Sequence, residues 1–469
     1  MDAPAKTPYD PRTFRALTYC DLADDFRSGK DSPRDFVERC LETVKEREPA
    51  VKAFASLNED AVRQAADESS ARWKAGKPWS PLDGMPVSIK DLLETKDHPT
   101  QLGCEAFRGN FPKRDNAAVC ALRQAGAVIF GKTVTAELGG THPGPTTNPF
   151  DPARTPGGSS SGSAAAVAAR MTPAAIGSQV GGSIIRPAAY CGNFALKPSQ
   201  GGLNRGERMA TSLSTHGPHA GSLRDMWQVA IEIAKRAGGD RGSNALKGPD
   251  AAPTEQKPAR LMVLETAGWA RTDEVSKAAF GEILGQLKSA GVELADRKSD
   301  KAVDGLEAAI AEADRIATEI TLWENRWSWR NWSNEHPGKI CARIMKGVEK
   351  AETMTPADYE GLLAERLTAI DVHKGAQGLA DAAITLSCPG PAPLWDPTAP
   401  GADEARRPTG DAIFNYPSSM LGAPVVTLPM IGVGGLPVGV QIMGQPGEDA
   451  KVTALARWVY ENLEAVCAG

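Results

Sequence analysis

No apolar run in this 469-residue chain reaches the roughly 18 residues needed to cross a bilayer, so no membrane-spanning helix is expected. The opening MDAPAKTPYDPRTF lacks a basic stretch followed by an apolar one, which argues against a secretory signal and for a cytoplasmic protein. Basic clusters are missing as well. The 53 Lys and Arg residues are spread among 58 Asp and Glu, giving a formal net charge of -5 and a sequence pI of about 5.8. Such a chain has no general attraction to nucleic acid or to anionic membranes. Its eight cysteines (Cys20, Cys40, Cys104, Cys120, Cys191, Cys341, Cys388 and Cys467) form no CxxC pair and no Cys/His ligand spacing. Reduced, mostly buried thiols are expected, with no metal and no cofactor.

What is present is ordinary globular material: 41% hydrophobic residues, 24% charged, 47 Gly and 35 Pro. The length permits two or three domains or one large α/β unit. Residues 21 to 75 read as helices, because DSPRDFVERCLETVKERE opens with a Ser/Asp cap and a first-turn Pro and repeats its apolar positions at helical spacing. From Pro81 to Pro198 the texture becomes α/β, with short apolar runs (MPVSIK, GAVIFGK, PAAIGSQ) between Gly/Pro/Ser-rich loops. Residues 240 to 258 read as a surface connection. After it, RLMVLE and VELAD flank a helix and look like further units of the same sheet. Residues 304 to 377 are mostly helical and carry Trp323, Trp327, Trp329 and Trp332, read as packing of a helical subdomain or as one or two walls of an apolar pocket. Near the end, APVVTLPM and LPVGVQIMG read as two buried strands around a Gly-rich turn, followed by a last helix.

The densest chemical signal is TPGGSSSGSAAAVAARM at 155 to 171, where a loop of small residues runs into an Ala-rich helix and leaves backbone N–H groups at its positive end. Gly158-Ser159-Ser160-Ser161-Gly162 formally fits a nucleophile elbow centred on Ser160, but the elbow needs a preceding apolar strand and NPFDPARTPG is not one. A phosphate-cradling loop would need a following Gly-Lys-Ser/Thr, which is absent. Two further segments accompany the loop, PLDGMPVSIKDLLETKD at 81 to 97 and IGSQVGGSIIRPAAYCG at 176 to 192.

With these three segments in order, the chain resembles the amidase signature family, and the likeness extends to GPHAGSLRDM at 217 to 226 and to GAPVVTLPMIGVGGLPVGVQIMG at 422 to 444. The resemblance implies an α/β fold: one large amidase signature domain over 1–469, with a central mixed, twisted β-sheet covered by helices on both faces. Within it, 1–75 would be an N-terminal helical cover and 81–240 the catalytic core. About 300–377 would be a helical insertion lining the substrate side, and 378–469 a return to the sheet. It also implies a Ser-cisSer-Lys triad of Ser183, Ser159 and Lys90, the two serines 24 residues apart. Val180, Gly181, Gly182 and Ser183 would form the oxyanion hole. Arg186, Ser160 and Gln179 would stand beside the substrate, Gln179 also serving to hold the Ser-rich loop.

The chemistry is consistent on its own terms. A serine needs a base, and none of His98, His142, His216, His219, His336 and His373 lies in the three motifs. Lysine can substitute if neutral; moving its pKa from 10.4 to about 7 costs roughly 4.6 kcal/mol, which burial can supply. Asp91, beside Lys90, leaves an ordinary ion pair open. The motif departs from the family in having Ile185 two residues after Ser183, with the arginine one place later at Arg186, and Val180 at the start of the turn. Members acting on small amides, including malonamidase-like enzymes, use an arginine here for a substrate carboxylate; the alternative is an ion pair holding the arginine's own loop. The expected activity is hydrolysis of a small-molecule amide, without nucleic acid or membrane partners, with homodimerisation the family habit. The alternatives are the amidase subunit of a glutamine-dependent aminoacyl-tRNA amidotransferase and a non-catalytic scaffold on the same fold.

Overall fold

A computed structural model describes residues 6–206 and 211–469; residues 1–5 of the expected cover, the first part of the segment on which the leader reading rests, and 207–210 of the expected core lie outside the described residues. One sheet runs through the described chain. Its strands are β1 (Phe54–Leu57), β2 (Pro86–Lys90), β3 (Val128–Thr133), β4 (Ala174–Gln179), β5 (Phe194–Lys197), β6 (Thr215–Ala220), β7 (Arg260–Val263), β8 (Glu293–Ala295), β9 (Ala382–Leu386), β10 (Val425–Val433), β11 (Leu436–Met443) and β12 (Val466–Ala468). They lie in the order β1-β3-β2-β4-β6-β5-β10-β11-β9-β7-β8, with β12 beside β10. The sheet is mixed: β3-β2-β4 and β9-β7-β8 are parallel, and β4-β6-β5-β10-β11-β9 are antiparallel.

The strands at MPVSIK, GAVIFGK and PAAIGSQ, and those at RLMVLE and VELAD, form where the apolar runs place them. So does the β10-β11 hairpin, which turns at Gly434 and Gly435, both at positive φ. Five strands, β1, β5, β6, β9 and β12, are not placed by the reading, and two of them show why. Within the helical cover, residues 54–57 form β1, an edge strand antiparallel to β3. It is bounded by Lys52 in the left-handed region, which ends helix Pro33–Val51, and by Asn58, which caps helix Glu59–Lys74. Four residues between two caps are too few to show a period. In β6, THGPHA carries Gly217 and Pro218 yet sits in the sheet interior. A Cβ on Gly217 would lie 2.1 Å from the Leu196 carbonyl oxygen, so close strand approach, which sequence period does not encode, selects the glycine.

The larger core joins the sheet to the N-terminal helices. A second apolar cluster, including Ile184, Ile185, Ile316, Ile320, Leu362 and Met420, ties the helices of 304–377 to the segment after β4. Because β2 and β4 are parallel neighbours, their carboxyl ends, Lys90 and Gln179, meet at one edge. Open α/β sheets characteristically bind ligands at that edge.

Candidate active site

Lys90 ends β2, whose five residues are all buried, and its own side chain is wholly enclosed. Its Nζ donates to Ser159 Oγ at 2.8 Å, Ser178 Oγ at 3.0 Å and the Ser178 carbonyl at 3.2 Å. Asp91 does not pair with it: the carboxylate is engaged by buried Lys132 at 2.9 Å. Burial pushes the Lys90 amine well below the ordinary lysine range, and the positive charge of Arg186 pushes the same way. His216 and His219 are buried and held neutral, pushed down to about 3 chiefly by burial; neither hydrogen-bonds Ser159 or Ser183 among the described residues.

The Ser-rich loop is an irregular segment rather than a strand, so it lacks the framework of an elbow. Gly157 has φ 84° and a Cβ there would sit 2.7 Å from Pro187 Cα, so only glycine lets the loop pass. The Gly158–Ser159 peptide bond is cis. Ser159 accepts from Ala136 N through its carbonyl, and Ser160 N donates to the Ser183 carbonyl at 3.3 Å, tying the two serine loops together. Ser160 Oγ is buried and exchanges hydrogen bonds with the Ser178 backbone at 3.2 Å, so it is occupied within the framework and does not line the cavity.

Ser183 stands at the end of the turn between β4 and helix Ile185–Cys191. Gln179 Oε1 accepts from Ile184 N at 2.8 Å and Ile185 N at 3.0 Å, and its Nε2 donates to Ser419 Oγ, which in turn donates to the Gly181 carbonyl at 2.9 Å. Gln179 therefore braces the 180–183 turn and the start of the next helix, and not the Ser-rich loop or the cavity. The reason is local: it ends a buried strand, where unspent helix N–H groups are within reach. With the Gly181 carbonyl turned toward Ser419, the Gly182 amide points the other way across the same planar peptide. Among the described residues, the amides of Gly181, Gly182 and Ser183 donate to no protein acceptor.

The turn lines a cavity of about 200 Å³, whose other walls are Arg186, the 139–141 loop, Ala412, Tyr416 and two helices, Ala313–Glu335 and Ala342–Glu352. Larger clefts, of about 690 and 490 Å³, open elsewhere around Arg457 and Trp73 and contain none of the candidate site residues. Arg186 is buried; it donates to the carbonyls of Gly158 (2.5 Å) and Gly410 (3.0 Å) and to Thr409 Oγ1 (3.0 Å). It thus anchors loops through neutral acceptors, with no carboxylate in contact among the described residues. Of the four tryptophans only Trp329 lines the cavity. Trp323 stacks on Tyr359, Trp332 packs edge-on against Phe107, and Trp327 is 64% exposed.

The sequence reading missed Ser178 and the 409–416 segment. Ser178 was detectable as a polar residue beside Gln179 at the end of the buried run AAIGSQ. The segment TGDAIFNY carries no spacing signal, yet it forms the floor: a Cβ on Gly181 would lie 2.6 Å from Tyr416 Cε1, and one on Gly182 would lie 2.5 Å from Asn415 Oδ1. Gly182→Ala is accordingly expected to displace the turn, lowering turnover by about 100-fold and stability by about 1–3 kcal/mol. Ammonia release and thermal melting check both; an unchanged rate would mean that the turn does not hold the reacting group.

Known proteins align with this chain over most of its length. The Amidase family model matches residues 35–453. A glutamyl-tRNA(Gln) amidotransferase subunit of Symbiobacterium thermophilum is 32% identical over 469 aligned residues, 93% of this chain and 95% of that protein. The subunit of the same name from Leptospira interrogans is 36% identical over 293 residues, and there the chain spans 59% of the relative's length. A solved amidase crystal structure superposes at TM-score 0.81 with 27% identity, covering 95% of this chain and 100% of that one. By the extent of the family match, the chain belongs to the amidase family.

Proposed function

We propose that the chain is an amidohydrolase that cleaves a carboxamide C–N bond through an acyl-enzyme on Ser183, with Ser159 and Lys90 relaying the proton. One observation carries the reading: among the described residues, a fully buried lysine amine hydrogen-bonds only to serine oxygens, while the neighbouring carboxylate is taken by Lys132. A neutral amine has two N–H groups and one lone pair. The Ser178 carbonyl can only accept and takes one N–H, Ser178 Oγ takes the other, and the lone pair is left for the hydroxyl proton of Ser159. Ser159 in turn draws the proton of Ser183 as its Oγ attacks the amide carbonyl, and the charge on the carbonyl oxygen is met by amides of Val180–Ser183. The proton returns through Ser159 to the departing nitrogen, releasing ammonia or an amine, and water then hydrolyses the ester by the same relay. Arg186 holds the Gly158 carbonyl beside Ser159 and, bonded to neutral acceptors, disfavours charge on Lys90.

The test is ammonia release from a panel of small amides across pH. The active form is the neutral amine, so the rate rises with pH through the Lys90 titration. Removing the Arg186 charge raises that pKa, so Arg186→Gln moves the acid limb to higher pH, and the rate at neutral pH falls on the order of tenfold for each 1.36 kcal/mol lost. Arg186→Lys keeps the charge and moves the limb less. An acid limb that ignores both substitutions would remove Arg186 from this role. The names of the relatives favour a second reading, the amidase subunit of an amidotransferase. Ammonia production from glutamine that requires a co-purifying second subunit would select it.

A further inference from the structure

We propose that the Ser419 hydroxyl locks the peptide between Gly181 and Gly182, keeping the Gly182 amide available to the oxyanion, so that Ser419 is a positioning residue for the reaction at Ser183. The inference rests on the amide-hydrolysis reading above and adds a residue to its machinery. The turn carries a weakness that its own packing imposes. Contact with Tyr416 and Asn415 forces glycine at both 181 and 182. A peptide flanked by two glycines rotates readily, because neither neighbour has a Cβ to restrict it. Rotation would exchange the positions of the Gly182 N–H and the Gly181 carbonyl, which lie on opposite sides of one plane, and would set an acceptor where the reaction needs a donor.

The neighbouring carbonyls are fixed by backbone groups: Gly182 O accepts from Arg186 N at 2.9 Å and Ser183 O from Ser160 N at 3.3 Å. The Gly181 carbonyl is held by a side chain, Ser419 Oγ at 2.9 Å. The direction of that bond is forced. Gln179 Oε1 takes the Ile184 and Ile185 amides, so its Nε2 faces Ser419 at 3.1 Å and can only donate. Ser419 Oγ must accept from Gln179, and its single proton is left for the Gly181 carbonyl. Ser419 lies in the short helix Tyr416–Met420 and is 1% exposed, so bulk water does not compete for that proton. One stretch of chain, 415–419, thus both imposes the two glycines and supplies the lock that they require.

Ser418 is the control: it is as buried as Ser419, but its Oγ donates to the Asn415 carbonyl at 2.9 Å, within its own segment. The experiment measures the rate constant for fluorophosphonate labelling of Ser183, whose phosphoryl oxygen calls on the same donors, together with kcat and KM for butyramide, in the parent, Ser419→Ala and Ser418→Ala. Ser419→Ala is expected to slow labelling and kcat about 100-fold, the scale of one lost oxyanion donor, with KM within about threefold of the parent. Ser418→Ala loses a comparable buried hydrogen bond and should react at the parent's rate. Labelling of Ser419→Ala at the parent's rate, a loss carried by KM instead of kcat, or an equal loss in Ser418→Ala overturns the assignment while the amidase reading stands. A parent neither labelled at Ser183 nor active on any amide removes the amidase reading, and the assignment with it.

Discussion

Lys90→Met lowers amide turnover by about 10⁴-fold, the upper range for loss of a positioned base, and yet melts no lower than the parent. The kinetic half follows from the contacts: Nζ lies 2.8 Å from Ser159 Oγ, and no histidine reaches either serine among the described residues. The thermodynamic half follows from linkage. In the unfolded chain a lysine stays protonated up to about pH 10.4, whereas buried Lys90 is neutral well below that. Between the two values the unfolded chain binds one more proton, so stability rises with pH across that window and Lys90 costs stability at neutral pH. Methionine fills similar volume without that cost, offsetting lost hydrogen bonds at about 1 kcal/mol each. Ammonia release with scanning calorimetry measures both halves. Turnover within tenfold of the parent would sink the lysine mechanism.

Ser183→Ala is expected to abolish fluorophosphonate labelling and to lower turnover by at least about 10⁴-fold. Ser160→Ala keeps the label and most of the rate, since Ser160 Oγ is bonded to the Ser178 backbone at 3.2 Å and lies off the cavity. Its loss costs only a buried hydrogen-bonded hydroxyl, about 1–3 kcal/mol of stability. The contrast is decisive because Ser160 is the residue that a bare G-x-S-x-G pattern selects. Labelling that moved to the opposite pair, surviving in Ser183→Ala and lost in Ser160→Ala, would transfer the nucleophile to the elbow serine.

The strands bearing Lys90 and Gln179 were legible because apolar runs ending in a polar residue announce where a buried strand stops. The family likeness and the α/β architecture were legible from three short segments, since small residues there permit approaches that larger ones forbid, as Gly157 against Pro187 illustrates. The partner of Asp91 was not legible: Lys132 is 41 residues away and meets it only because β3 lies beside β2. Nor was the role of Gln179, whose amide is committed to N–H groups that exist only once the next helix forms. Tyr416 and Asn415 left no trace in spacing, because what fixes them is contact with Gly181 and Gly182 across more than 200 residues of chain. β6 was hidden by its own Gly217 and Pro218, residues that strand patterns count against.

Arg186 is held by residues 223 and 224 positions further along the chain, and the turn it follows by Ser419, 238 positions beyond Gly181. During synthesis, Lys90, Ser159 and Ser183 all leave the ribosome long before Thr409 and Gly410 exist. On the proposed relay, a half-made chain carries Lys90, Ser159 and Ser183 without the loops that hold Arg186, so a chain that ends before Thr409 is expected to be inert, hydrolysis arriving only with the finished molecule.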